Sequence, residues 1–134
     1  MPRKRPLGKD SSLPKERRKR AYRLGLRAEW IAQSLLRLKG YHILARQFVA
    51  QGGEIDLIAV SQDTIIFVEV KARPDHAQAQ EAITALKVKR ISKAARYWMS
   101  QNSWCANYNL RGDAITLNGW LWPQHQIGAF ELML

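Results

Sequence analysis

A single cysteine, Cys105, excludes an intramolecular disulfide, and the three scattered histidines, His42, His76 and His125, give no spacing that resembles a zinc site. Long apolar runs are missing as well. None approaches the length needed to cross a bilayer, and the N-terminus lacks the apolar centre of a secretory signal, so a cytoplasmic place with no membrane partner is expected. Internal repeats are absent. Acidic residues are scarce, with 11 Asp and Glu against 22 Lys and Arg and a net charge of +11, which points to polyanions as partners.

The cations are unevenly spread. Arg3, Lys4, Arg5, Lys9, Lys15, Arg17, Arg18, Lys19 and Arg20 fall in the first twenty residues, against only Asp10 and Glu16. So few apolar residues do not offset ordering entropy, and the composition predicts a mobile basic tail over residues 1–20 followed by one compact domain over 21–134. Phosphates neutralised by Arg17, Arg18, Lys19 and Arg20 would release condensed counterions, giving salt-sensitive, sequence-indifferent affinity for DNA or RNA. A solubilising extension would have the same composition.

Within the domain, Leu24, Ala28, Ile31, Leu35 and Leu38 recur at steps of four and three and predict an amphipathic helix over Ala21–Lys39, stopped by Gly40. Glu29 projects at the edge of its apolar arc, near Leu36 and Gly25. A strand over Tyr41–Phe48 leads through Gly52-Gly53 into two further strands, Glu54–Val60 and Ile65–Lys71. The segment from Ala72 to Gln78 contains Pro74 and reads as a loop. A second helix is expected over Ala79–Gln101, burying Ile83, Leu86, Ile91, Ala94, Ala95 and Trp98 and exposing Lys87, Lys89, Arg90, Lys93 and Arg96. Asp113–Leu117 and Trp120-Leu121-Trp122, joined by an Asn118-Gly119 turn, read as one or two more strands. The order αβββαβ indicates an α/β domain. Trp120 and Trp122 could stack on bases, although large aromatics more often fill cores and interfaces.

Glu54, Asp56, Glu69 and Lys71 carry the chemistry. If Gln62-Asp63 is a two-residue turn, Ser61 faces Thr64, Asp56 faces Glu69 and Glu54 faces Lys71, all on one side of the hairpin. Opposed carboxylates repel by about 1 kcal/mol in water and about 4 kcal/mol at an effective dielectric near 20. Lys71 offers one compensating charge, and a hard divalent cation such as Mg²⁺ or Mn²⁺ would offer two. Charges on a hairpin are commonly only solvated. Here the same face continues as Ile58, Val60, Ile65 and Phe67, and the other carries Ile55, Leu57, Ala59, Ile66, Val68 and Val70. Both sides are therefore covered, and the cluster reads as a site.

Asp56 followed by Glu69-Val70-Lys71 resembles the signature of the restriction-endonuclease-like nuclease superfamily. The segments Gly53-Glu54-Ile55-Asp56-Leu57-Ile58, Phe67-Val68-Glu69-Val70-Lys71, Glu81-Ala82 with Lys87 and Arg90, and Gly40-Tyr41 with Ile43-Leu44 resemble the YraN-like family of small bacterial proteins over residues 21–117. Ala28 departs from the glycine common there before Glu29, and Gly112 from an aromatic residue before Asp113. That family is similar in turn to archaeal Holliday-junction resolvases, in which a glutamate of the first helix joins the acidic hairpin, the position of Glu29.

The resemblance implies a restriction-endonuclease-like αβββαβ core with a mixed central sheet flanked by helices. It also implies a metal-dependent endonuclease acting on DNA, with branched or junction DNA among its candidate substrates. Asp56 and Glu69 would hold Mg²⁺ or Mn²⁺ with the Val70 carbonyl and with Glu29, directly or through water. Lys71 would orient the attacking water or neutralise developing charge, completing a catalytic set of Glu29, Asp56, Glu69 and Lys71. Glu54 would take a second ion or pair with Lys71, and Gln47, Gln51 and Lys87 would stand behind the ligands. Nucleic acid would be held by Arg17, Arg18, Lys19 and Arg20 and by Lys87, Lys89, Arg90 and Lys93, and junction cutting would favour a homodimer. Two other readings stay open: a non-catalytic nucleic-acid-binding protein of the same fold, and a basic-tailed interaction module.

Overall fold

The computed structural model describes residues 14–134. Helix α1 (Lys15–Leu38) is followed by three strands, β1 (His42–Ala50), β2 (Gly53–Ser61) and β3 (Thr64–Ala72). Helices α2 (His76–Glu81) and α3 (Ala85–Ser100) and a 3-10 turn (Ser103–Asn107) lead to β4 (Asn109–Leu117) and β5 (Pro123–Phe130). The sheet has the order β1-β2-β3-β4-β5, antiparallel except where β3 and β4 run parallel. That parallel pair needs a crossover, which the α2–α3 segment supplies. The αβββαβ order and the mixed sheet match the expectation, but the last strand begins at Pro123, and Trp120-Leu121-Trp122, expected as a strand, forms the loop before it.

Each sheet face is covered by one long helix. Ala28, Ala32 and Leu36 of α1 pack on Leu57, Ala59, Ile66, Val68, Ile115 and Leu117. On the opposite face Ile91, Ala94, Ala95 and Trp98 of α3 pack on Ile55, Ile58, Ile65 and Phe67. Side chains such as Leu36, Ile66, Phe67 and Ile115 are fully buried, each worth about 1.5–3 kcal/mol relative to exposure. Gly53 lies against α3: a Cβ there would collide with the backbone carbonyl of Arg90. Gly112 leaves room on β4 for the ring of Phe130, which approaches from β5. Among the described residues no helix is long and apolar enough to cross a membrane.

Several expectations are corrected. Helix α1 begins at Lys15 rather than Ala21, so Arg17, Arg18, Lys19 and Arg20 are helical and not part of a tail. Lysine and arginine are good helix formers, and a first turn continuous with a packed helix needs no separate nucleation. The tail residues before Pro14, with Arg3, Lys4, Arg5 and Lys9, lie outside the described residues. The buried side of α1 is the Ala28, Ala32 and Leu36 row, while Leu24 and Leu38 are exposed, because the small alanines let the helix lie close to the sheet.

The second helix is two helices. Asp75 accepts the N–H of Gln78 to cap α2, and Thr84 Oγ1 accepts the N–H of Lys87 at 3.2 Å to start α3. That restart leaves Leu86 exposed instead of buried.

Candidate functional site

The β2–β3 ladder follows the register expected from the turn: Ser61 pairs with Thr64, Ala59 with Ile66 and Leu57 with Val68, the last pair in the ladder. Continued alternation would give the Val70 N–H a backbone carbonyl on β2. Instead it donates to Asp56 Oδ2 at 2.8 Å. Beyond this point β2 stays with β1, through Phe48 opposite Ile55 and Val49 opposite Glu54. Strand β3 stays with β4, through Glu69 opposite Ala114 and Lys71 opposite Thr116. The charged groups collect where the strands part.

Strict alternation also fails there. Leu57 packs on the α1 side, yet Ile55, two residues away, packs on the α3 side, so the expected common face for Ile55 and Leu57 is corrected. The switch falls at Asp56, between the pairs Arg46–Leu57 and Phe48–Ile55, where β1 carries Gln47 with φ +49°. A non-glycine residue in the left-handed region bends the strand, and the Gln47 amide thereby reaches α1 and donates to Glu29 Oε2. Glu29 thus comes to the same end of the sheet, held through Gln47.

Asp56 and Glu69 are each 2% exposed. Glu69 Oε1 is buried and accepts no hydrogen bond. Lys71 Nζ lies 3.9 Å from Glu69 Oε1, and Lys87 Nζ lies 3.9 Å from Glu69 Oε2 and 3.6 Å from Glu54 Oε1. Burial, then the charge of Asp56 and a hydrogen bond to it, push the Glu69 carboxyl up to about 9, against the opposing pull of Lys87 and Lys71. The shift favours a proton on the pair formed by the Glu69 and Asp56 carboxyls. Burial likewise lowers the Lys71 ammonium; Glu69 and Asp56 oppose this, and Lys87 and Arg73 add to it.

The structure brings Asp56, Glu69 and Lys71 together, with Glu54 and Lys87 beside them. Two abutting buried carboxyls with an orphaned oxygen suit a hard divalent cation, which would replace the shared proton and satisfy Oε1. The fit is incomplete in one respect: among the described residues no three His, Cys, Asp or Glu side chains are grouped so as to hold an ion. Lys87, read both as part of the outer basic face of α3 and as a group behind the ligands, turns inward to Glu54 and Glu69. Lys89, Arg90 and Lys93 are exposed there, as are Arg17, Lys19 and Arg20 on α1, while Arg18 is half-buried. Gln51, with φ +55°, sits in the β1–β2 turn and lines a groove with Lys93, Arg96 and Tyr97.

Two polar groups escaped the sequence reading. Thr116, buried and opposite Lys71, meets His76 Nδ1 at 2.9 Å and receives the Gln126 amide at 3.3 Å. Asp113, fully buried, accepts a fork from Arg111 at 2.7 and 2.8 Å, the His125 Nε2–H at 2.8 Å and the Gly128 N–H at 3.0 Å. Burial alone would raise the Asp113 carboxyl, but these bonds outweigh it and bring it down to about 2. The alternation Arg111, Asp113, Ile115 was a signal that the pair shares a strand face; nothing local pointed to His125.

A family model described as "Uncharacterised protein family UPF0102" matches residues 28–117. A UPF0102 protein of Methylobacterium radiotolerans is 47% identical over 87% of this chain and 91% of its own length. One of Mesorhizobium japonicum is 44% identical over 87% and 94%, and one of Bartonella tribocorum 40% identical over 85% and 88%. Trp120 and Trp122 lie beyond the segment that the family model matches.

Proposed function

The chain belongs to the uncharacterised protein family UPF0102, and from that premise we propose that it is a metal-dependent endonuclease hydrolysing phosphodiester bonds in DNA. One observation carries the reading: the buried carboxyl contact between Asp56 and Glu69, with Oε1 of Glu69 orphaned and Lys71 3.9 Å away, at the end of two parted strands. Such an arrangement is costly for folding and suits chemistry.

Asp56 and Glu69 would hold Mg²⁺ or Mn²⁺, with the Val70 carbonyl and, directly or through water, Glu29. The ion supplies Lewis-acid stabilisation of the phosphate and a water that is acidic near neutral pH. Lys71, its ammonium weakened by burial, orients that water or neutralises developing charge. Lys87 links Glu69 to Glu54 and holds the carboxylates against their mutual repulsion. Gln47 positions Glu29. The exposed cations Lys89, Arg90 and Lys93, with Arg17, Arg18, Lys19 and Arg20, would bind phosphates without reading bases, which favours distorted or branched DNA over a sequence target. A homodimer and a cytoplasmic place belong to the same proposal.

The test is cleavage of linear, nicked, flapped and four-way-junction DNA, with and without Mn²⁺, using Glu69→Gln as control. Cleavage by the wild type alone supports the reading. A second reading, a nucleic-acid-binding protein whose acidic pair is idle, is favoured by the absence of a third grouped carboxylate among the described residues. DNA binding with no cleavage under any of these conditions would select it.

A further inference from the structure

Trp120 and Trp122 stand apart from the tryptophans that the fold uses. Trp98 and Trp104 belong to an edge-to-face series running from Phe67 to Tyr108 on the α3 side. Trp120 is 92% and Trp122 71% exposed, although their loop is tightly braced. Asn118 Oδ1 accepts the N–H groups of both tryptophans at 3.0 Å, and its backbone carbonyl accepts that of Leu121 at 2.9 Å. Gly119 N–H donates to the Pro74 carbonyl at 3.1 Å. Leu121 has φ +58°, a strained conformation for leucine, and is held there by packing on the α1-side core. Burying Leu121 drives both neighbouring indoles outward.

Charge leads to this loop. Arg20, Arg23, Arg27 and Trp30 follow one another at steps of three and four along one side of α1. The three arginines line one groove with Arg17, Ala21 and Leu24. Arg27 and Trp30 then line a second groove, of about 390 Å³, with Leu26, Ile31 and Leu121. Among the described residues no acidic side chain lines either. The loop also stands one strand away from the carboxyl cluster, since Lys71 pairs with Thr116 and Ala72 with Leu117, where the loop begins.

A row of arginines that leads to a braced loop bearing two exposed indoles matches the physical requirements of an unpaired nucleic-acid strand: phosphates on cations, bases on indole faces. We infer that this face binds such a strand, its phosphates along Arg20, Arg23 and Arg27 and its bases on Trp120 and Trp122. The inference rests on the proposed nuclease reading for the identity of the neighbouring site. It makes the substrate one with unpaired bases next to the cut, such as a flap or an opened branch.

The test titrates an oligothymidylate of about 12 nucleotides into the full chain in EDTA, read by tryptophan quenching and anisotropy. Wild type is expected to bind with quenching. The pair Trp120→Ala/Trp122→Ala is expected to lose about 10- to 100-fold in affinity with little change in salt dependence, and Trp120→Phe/Trp122→Phe to retain most of it. Arg23→Ala/Arg27→Ala should lower the salt slope by about 1 to 2. Unchanged affinity in the alanine pair, with an unchanged melting temperature, overturns the inference. So does a wild-type dimer that the alanine pair converts to monomer without loss of oligonucleotide affinity, which would make this a self-association face. The nuclease reading fails separately, if the wild type never cuts DNA in Mn²⁺ whatever the oligonucleotide does.

Discussion

Asp56 stands in for a backbone carbonyl: its Oδ2 accepts the Val70 N–H at 2.8 Å at the point where β2 leaves β3. One carboxylate therefore ends a ladder and lines the gap that its ending creates. Asp56→Ala should orphan a buried N–H and destabilise the metal-free fold by about 1–3 kcal/mol, whereas Asp56→Asn keeps an acceptor and should cost less. Chemical denaturation of the two variants measures the difference.

Glu69 should make the metal-free protein alkali-sensitive. Its carboxyl is raised to about 9 in the fold and lies near 4.5 when exposed, so the folded state holds the proton more tightly. The sign follows: its contribution is most favourable below pH 4.5 and is lost progressively as pH rises toward 9, by at most about 1.4 kcal/mol per unit. Melting curves in EDTA at pH 6 and pH 8 should show the wild type losing stability. Glu69→Gln, which cannot ionise, should lose less, and at pH 8 it should be the more stable protein.

Asp113 predicts the opposite trend in acid. Its carboxyl is lowered to about 2, so its contribution is complete above its ordinary value of 3.8 and disappears as pH falls through 2. Removing its partner with Arg111→Ala breaks the fork and should destabilise the fold by about 3 kcal/mol near neutral pH. Urea unfolding at pH 7 and acid titration followed by circular dichroism measure both effects.

Helical Arg17, Lys19 and Arg20 should contribute to DNA binding as a fixed surface. Replacing the three by alanine should weaken duplex binding and reduce the slope of log affinity against log salt by about 2 to 3. Fluorescence anisotropy across a salt series gives that slope, and an unchanged slope would remove these residues from the interface.

The hairpin was legible because its information is local: β-branched strands, a two-residue turn and alternation fix the register down to Leu57 and Val68, and the ladder stops before the expected pairs Asp56–Glu69 and Glu54–Lys71. The change of side at Asp56 was not legible, since it depends on Gln47 of another strand adopting a positive φ and reaching Glu29. Leucine spacing misled the reading of α1, where the sheet accepts the Ala28, Ala32 and Leu36 row and leaves Leu24 and Leu38 in solvent. The break before α3 was written in Thr84, a residue that caps helices, but the apolar periodicity across it concealed the stop. Lys87 was read both as one of a row of surface cations and as a group behind the ligands, and the seat of α3 on Gly53 accompanies its turn toward Glu54 and Glu69.

Mn²⁺ calorimetry at pH 7, repeated in buffers of different ionisation enthalpy, tests the central claim most directly, that the Asp56–Glu69 pair exists to hold a divalent ion. Binding to the wild type is expected, with release of about one proton as the ion displaces the one held by the Asp56–Glu69 pair, and that binding should be lost in Asp56→Ala. No binding heat, or the same affinity and proton release in Asp56→Ala, would contradict it.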